Sequence, residues 1–155
     1  MYLSKETINK YKTINRKRAE EYCNQKHDKS SVIISISDTW DIELPEVYCS
    51  DTNNVKAILS LSFDDVEKED KDNLDGTEYC MSFTDGDRIA TFINNWYNKV
   101  DTIIVHCDGG VSRSAGVTAA IMRVKEGDDW PIFNNRNKHP NMTCYLRTLK
   151  GFKYI

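Results

Sequence analysis

The sequence predicts an α/β domain of three layers, a mostly parallel central sheet flanked by helices. Three observations lead there. Continuous β-branched runs, SVIISIS at 31–37, VKAILSLSF at 55–63 and VDTIIVHC at 100–107, have the unbroken apolar character of strands buried on both faces. The segments after the second and third runs carry apolar residues at helical spacing, which supplies the crossovers that parallel strands need. Two glycines, Gly109 and Gly110, stand between the last run and the helix after it, where the chain must turn tightly.

In chain order, the first thirty residues divide into a short strand at YKTI and a helix beginning at Asn15, with one helix from Ser4 as the alternative. Lys10, Lys12, Arg16, Lys17 and Arg18 make this end basic, which reads as a solvated face, with a docking surface as the other possibility. A crossover helix is expected over 84–99, capped by Thr84, with Ile89, Phe92, Ile93 and Trp96 along one side. Residues 112–127 form a second helix, capped by Ser112 and stopped by Gly127. Gly116, Ala119 and Ala120 give it a small flank that can lie close to the sheet. Helices near 129–136 and 141–153 complete the cover.

A chain of 155 residues without internal repeats or linkers is expected to form a single domain over 1–155. Its hydrophobic fraction of 39% is spread in short blocks, and no stretch approaches the ~20 apolar residues of a membrane span. The N-terminal residues lack the pattern of a secretory signal, so a soluble, cytoplasmic protein is expected. The odd set Cys23, Cys49, Cys80, Cys107 and Cys144, without regular spacing, argues against a disulfide framework and for a reducing compartment. Cys23 and His27 stand at a metal-like interval, but no second pair follows, so no metal or other cofactor is expected. The net charge of -3 speaks against a nucleic-acid binder, and any anion site must be local.

The local site is His106-Cys107-Asp108-Gly109-Gly110-Val111-Ser112-Arg113-Ser114. A phosphate dianion needs several donors converging from one side, and a tight loop entering a helix provides them as oriented backbone N–H groups, reinforced by the helix dipole. Asp108, Gly109, Gly110, Val111, Ser112 and Arg113 are therefore the expected phosphate-binding residues. With five residues between Cys107 and Arg113, the loop can close into a bowl with the sulfur as its floor and the guanidinium fork on its rim. A cysteine facing a helix N-terminus and an arginine is a reactive nucleophile. The Asp108 carboxylate can lie in solvent while its N–H faces the anion.

HCDGGVSRS resembles the HCxxGxxR signature, followed by Ser or Thr, of the protein tyrosine and dual-specificity phosphatases. Weaker likeness runs upstream to ILSLSFDD and downstream to NNRNKHPN, where family members often carry Pro-Asn before their last helix. The resemblance implies a metal-free, two-step hydrolysis through a phosphocysteine. Cys107 attacks phosphorus, Arg113 and the loop amides stabilise the transition state, an acid protonates the leaving oxygen, and Ser114 assists the departing thiolate. His106 is expected to order the loop rather than exchange protons.

The acid belongs on a loop after a strand. Phe63-Asp64-Asp65 resembles the family's Trp-Pro-Asp trio, which makes Asp65 the first choice. Asp64, Asp75, Asp85 and Asp87 remain alternatives, because an extra charged stretch over 66–80 lengthens the distance to Cys107. The expected partner is a phosphorylated protein or peptide, phosphotyrosine first and phosphoserine or phosphothreonine as well, with phosphate or sulfate able to occupy the loop. A phosphate-binding pseudophosphatase and a rhodanese-like sulfurtransferase are the competing readings. Trp40, Tyr48 and Phe63 are candidates for the pocket rim or the core.

Overall fold

Four parallel strands explain how the apolar runs are used. The structure, a computed structural model, describes residues 3–40, 49–50, 53–68 and 79–155. Strands β1 (Tyr11–Asn15), β2 (Ser31–Ser37), β3 (Val55–Ser62) and β4 (Thr102–Cys107) line up in the order β1-β4-β2-β3, all parallel. The sheet is thus wholly parallel among the described residues, where a mostly parallel one was expected. β4 lies between β1 and β2, so every one of its residues is buried and its C-terminal end opens at the middle of the sheet edge. Ligands of parallel α/β sheets gather at that end, because the crossovers leave a crevice there.

The helices are α1 (Lys5–Asn9), α2 (Arg16–Cys23), α3 (Phe83–Trp96), α4 (Arg113–Glu126), α5 (Trp130–Phe133) and α6 (Met142–Gly151). At the N-terminus the expected split holds, with Asn15 capping α2 through a bond from Arg18 N, and a short helix capped by Ser4 precedes it. For α3 the cap is Ser82 rather than Thr84, because Ser82 and Asp85 form a reciprocal capping box that fixes the start two residues earlier. Ser112 sits at the N-cap position of α4 without a side-chain cap bond, and Gly127 ends that helix at a left-handed φ of 77°.

One face of the sheet carries the larger core, where Val32, Ile34, Ile36, Ile103 and Val105 meet Ile89, Ile93, Val117 and Ile121. On the other face, Ile33 and Ile104 pack against Ala19 and Cys23 of α2. Phe63 is core, at 1% exposure, whereas Trp40 is exposed and Tyr48 lies outside the described residues. The small flank of α4 serves two neighbours, since Ala119 lies in the larger core with the sheet as expected while Gly116 faces another element. A Cβ on Gly116 would come within 2.4 Å of the Asn141 carbonyl oxygen, so its bareness lets α4 approach the start of α6 rather than the sheet.

One expectation is overturned. Cys23 and Cys49 are joined by a disulfide, which leaves Cys80, Cys107 and Cys144 free and commits the Cys23 sulfur to something other than a metal. Cysteines 26 residues apart show no pairing in sequence, yet the fold brings them together beneath Ile33 and Ile104. The inference of a reducing compartment therefore loses its cysteine argument. In the basic N-terminal run Lys12, Lys17 and Arg18 are exposed as expected, whereas Lys10 Nζ donates to the Val100 carbonyl at 3.0 Å and lies over the Tyr97 ring, and the largely buried Arg16 pairs with Glu20. No helix among the described residues is long and apolar enough to cross a membrane.

Candidate active site

The segment from Cys107 to Arg113 joins the end of β4 to the first residue of α4, and its carbonyl groups are tied outward. Asp108 O accepts from Arg16 N at 3.3 Å, Val111 O from His139 N at 2.9 Å, and Ser112 O from Asn141 N at 3.0 Å. Gly110 O accepts from Lys138 Nζ at 2.6 Å, and the same ammonium holds the Thr13 carbonyl of β1 at 3.0 Å. Burial pushes Lys138 below the ordinary lysine range, against the opposing influence of Cys107. In a trans peptide the C=O and the following N–H point in opposite directions, and the described chain has no cis bond. Pulling these carbonyls outward therefore turns the N–H groups of residues 109, 111, 112 and 113 toward the inside of the loop.

Gly110 makes that curl possible. Its φ is +69°, and a Cβ there would stand 2.6 Å from Asn15 N and Ile14 C, so the loop lies directly on the β1–α2 junction. Gly109 is different, since a Cβ there would meet nothing within 4 Å. Gly110 N donates to Cys107 Sγ at 3.2 Å, and Ser114 Oγ lies 3.2 Å from the same sulfur. Asp108 is exposed, as its expected solvent-facing carboxylate requires.

Arg113 is held from one side. Its Nη1 donates to Asp38 Oδ1 at 2.7 Å and to the Phe63 carbonyl at 2.8 Å. The residue is 4% exposed, and its Nε–H is buried without a partner among the described residues. Nε and Nη2 form one edge of the guanidinium fork, so anchoring Nη1 leaves that edge to grip two oxygens of an oxyanion. Asp38 was not singled out in the sequence, because its role depends on the end of β2 meeting the start of α4.

His106 is fully buried and pairs through Nε2 with Ser35 Oγ on β2 at 2.6 Å. Burial pushes its pKa down to about 4, with Arg16 and Arg113 acting in the same direction, so the ring is neutral where it meets the loop.

The candidate acids separate cleanly. Asp64 is buried, and its carboxylate accepts from Thr39 N at 2.8 Å, Thr39 Oγ1 at 2.7 Å and Tyr79 N at 2.8 Å. Burial opposes its ionisation, but those bonds and Arg113 outweigh it and hold Asp64 below the usual carboxylate range, as a fixed anion that joins two loops. Asp65 is exposed, and its Oδ1 accepts from Ser112 Oγ at 2.7 Å and from Asn141 Nδ2 at 3.1 Å. Asp85 is spent in the capping box of α3, Asp87 sits on the same helix beside Leu59 and Arg88, and Asp75 lies outside the described residues. Of the four described, the geometry brings Asp65 to the loop. Sequence reasoning gave no role to Lys138 or Ser35, and it met Asn141 only in the Pro-Asn likeness before the last helix, without its contact to Asp65.

No protein-family model and no curated protein matches this sequence. Among solved structures the chain is similar to human DUSP28, with a TM-score of 0.63 and 14% identity over 96% of this chain and 95% of that one. It is similar to human tyrosine phosphatase-like serine/threonine/tyrosine-interacting protein, with a TM-score of 0.52 and 17% identity over 78% and 75% of the two chains. PTPMT1 in complex with PI(5)P matches with a TM-score of 0.51 and 13% identity over 92% and 88%. Together with the parallel sheet, these likenesses show that the chain has a dual-specificity-phosphatase-like fold.

Proposed function

We propose that this protein hydrolyses phosphate monoesters on protein side chains, phosphotyrosine first and phosphoserine or phosphothreonine as well, through a phosphocysteine on Cys107. The observation that carries the proposal is the loop with its carbonyls tied outward, which makes a ring of inward N–H groups above the sulfur and beneath the Arg113 fork. In the first step the Cys107 thiolate attacks phosphorus, the P–O bond breaks, and Asp65 gives its proton to the leaving oxygen. The loop amides and the Nε–Nη2 edge of Arg113 stabilise the equatorial oxygens as charge builds on them. In the second step water attacks phosphorus, its proton passes to the Asp65 carboxylate, and the S–P bond breaks. Ser114 Oγ, 3.2 Å from the sulfur, hydrogen-bonds the thiolate as it departs. Inorganic phosphate is released, and it and sulfate are the anions that the loop would bind.

The contact of Asp65 with Ser112 favours an enzyme over a phosphate-binding module, because a binding module needs no acid beside the loop. It also favours phosphoryl transfer over sulfur transfer, which needs no such acid. One structural neighbour is described with PI(5)P. Residues 108–112 here offer no lysine or arginine and include the exposed Asp108, so a phosphorylated protein is the better substrate. The test is a substrate panel of phosphotyrosine, phosphoserine and phosphothreonine peptides, a phosphoinositide and thiosulfate, with Cys107→Ser as the blank. Turnover of the phosphotyrosine peptide that is lost in the blank is the expected result. Turnover of thiosulfate alone, or tight phosphate binding without turnover of any ester, would overturn it.

A further inference from the structure

We infer that Asn141 is the positioning residue for the general acid, fixing Asp65 over the loop and choosing which of its oxygens carries the proton. The inference rests on the acid role proposed for Asp65. Asn141 is 2% exposed and stands where three parts of the site meet. Its backbone N–H holds the Ser112 carbonyl at 3.0 Å, its Oδ1 accepts from Cys144 N at 3.0 Å to cap α6, and its Nδ2 donates to Asp65 Oδ1 at 3.1 Å and to the Val66 carbonyl at 3.2 Å. Gly116 of α4 lies close beneath its carbonyl, where a Cβ would come within 2.4 Å of the oxygen.

Asp65 itself is exposed, and an exposed carboxylate on a loop samples many orientations unless something holds it. Both of its donors, Ser112 Oγ and Asn141 Nδ2, reach the same atom, Oδ1. An oxygen that already accepts two hydrogen bonds is a poor carrier for a proton, so the acid proton falls to Oδ2. Ser112 Oγ can rotate and serve as donor or acceptor, whereas an amide nitrogen only donates. Asn141 is thus the donor that enforces the assignment. An asparagine suits the position because one side chain must accept on the α6 side and donate on the acid side. Serine caps a helix but is too short to reach Asp65, and aspartate caps but has no donor to offer.

A role confined to capping α6 is the alternative, and Asn141→Ser separates the two, since serine keeps a good cap. The experiment measures kcat and KM of Asn141→Ser, Asp65→Asn and the double variant on a phosphotyrosine peptide and on an activated aryl phosphate. Loss of positioning should lower kcat on the peptide about tenfold, with KM and the activated substrate little changed. In the Asp65→Asn background the serine change should cost nothing further, because no acid is left to position. Asn141→Asp, which also keeps the cap, should show the same selective loss. The inference is overturned if Asp65→Asn shows the selective loss and both Asn141 variants match the parent protein. If Asp65→Asn itself has no selective effect, the inference falls with the acid assignment, and the fault lies in that assignment.

Discussion

Along its inner wall the loop rests on main chain: Gly110 lies on the backbone of Ile14 and Asn15, and the carbonyls of Asp108, Val111 and Ser112 are taken by backbone N–H groups from 16, 139 and 141. At the mouth, Asp65 is held through side chains, Ser112 Oγ on one side and Asn141 Nδ2 on the other. Backbone contacts are indifferent to most substitutions, so apart from the Lys138 side chain on the Gly110 carbonyl the wall depends on the few residues whose size or φ it requires. Side-chain contacts can be removed one at a time. The phosphate site and the acid should therefore respond independently to mutation.

The largest effect expected is at the floor of the wall. Cys107→Ser should abolish turnover and leave inorganic phosphate binding intact by calorimetry, since the donors are backbone groups and Arg113. Loss of binding together with turnover would mean that the sulfur helps hold the loop open. At the mouth, Asp65→Asn should lower kcat on a phosphotyrosine peptide by roughly 10²–10⁴-fold and affect an activated aryl phosphate far less, because a good leaving group needs little protonation. Asp64→Asn should behave differently. It gives up an anion that accepts from Thr39 and Tyr79, so its cost should appear as a lower unfolding free energy, about 1–3 kcal/mol, without dependence on the leaving group. If Asp64→Asn shows the leaving-group effect instead, the two aspartates have been assigned in the wrong order.

The glycines sharpen the contrast within the wall. Gly110→Ala must place a Cβ 2.6 Å from two backbone atoms at a left-handed φ, and should lose both phosphate binding and about 2 kcal/mol or more of stability. Gly109→Ala meets open space and should retain phosphate affinity within a few-fold. Similar losses at the two positions would show that the second glycine is needed for something other than packing.

How much of this was legible follows the same division. The strands were readable because a buried parallel strand is apolar throughout, and β2 falls at the expected 31–37. The loop was readable because its chemistry is local, with Cys107, Gly110, Arg113 and Ser114 inside eight residues. What escaped were partners delivered by crossovers. Asp38 is 75 residues from Arg113, and Asn141 is 76 from Asp65, so neither pairing leaves a trace in local pattern. The Cys23–Cys49 bridge was missed for the same reason, since spacing alone does not report which cysteines share a face of a sheet. Ser82 was passed over for Thr84 because both are good caps, and only the reciprocal bond with Asp85 decides between them.

A further effect belongs to the root of the wall, and it concerns stability rather than rate. His106 is neutral in the folded protein, its pKa pushed from 6.5 down to about 4 chiefly by burial. In the unfolded chain the ring titrates near its ordinary value of about 6.5. Between these values the unfolded state binds the extra proton, so stability falls as pH drops from about 6.5 toward about 4 and is unaffected by this group above that window. The linkage relation gives a loss of about 2 kcal/mol by pH 5 from this ring alone. Asp64, held below the usual carboxylate range, adds its own loss only at still lower pH. Replacing His106 with Gln keeps an amide that can bond Ser35 and removes the titration. Denaturant unfolding of the parent protein between pH 7 and 5 should therefore show a decline that His106→Gln lacks, whatever its stability at pH 7. Parallel curves for the two proteins would mean that the ring is already solvated or charged in the folded state, and that the neutral His106–Ser35 pair does not order the loop's root.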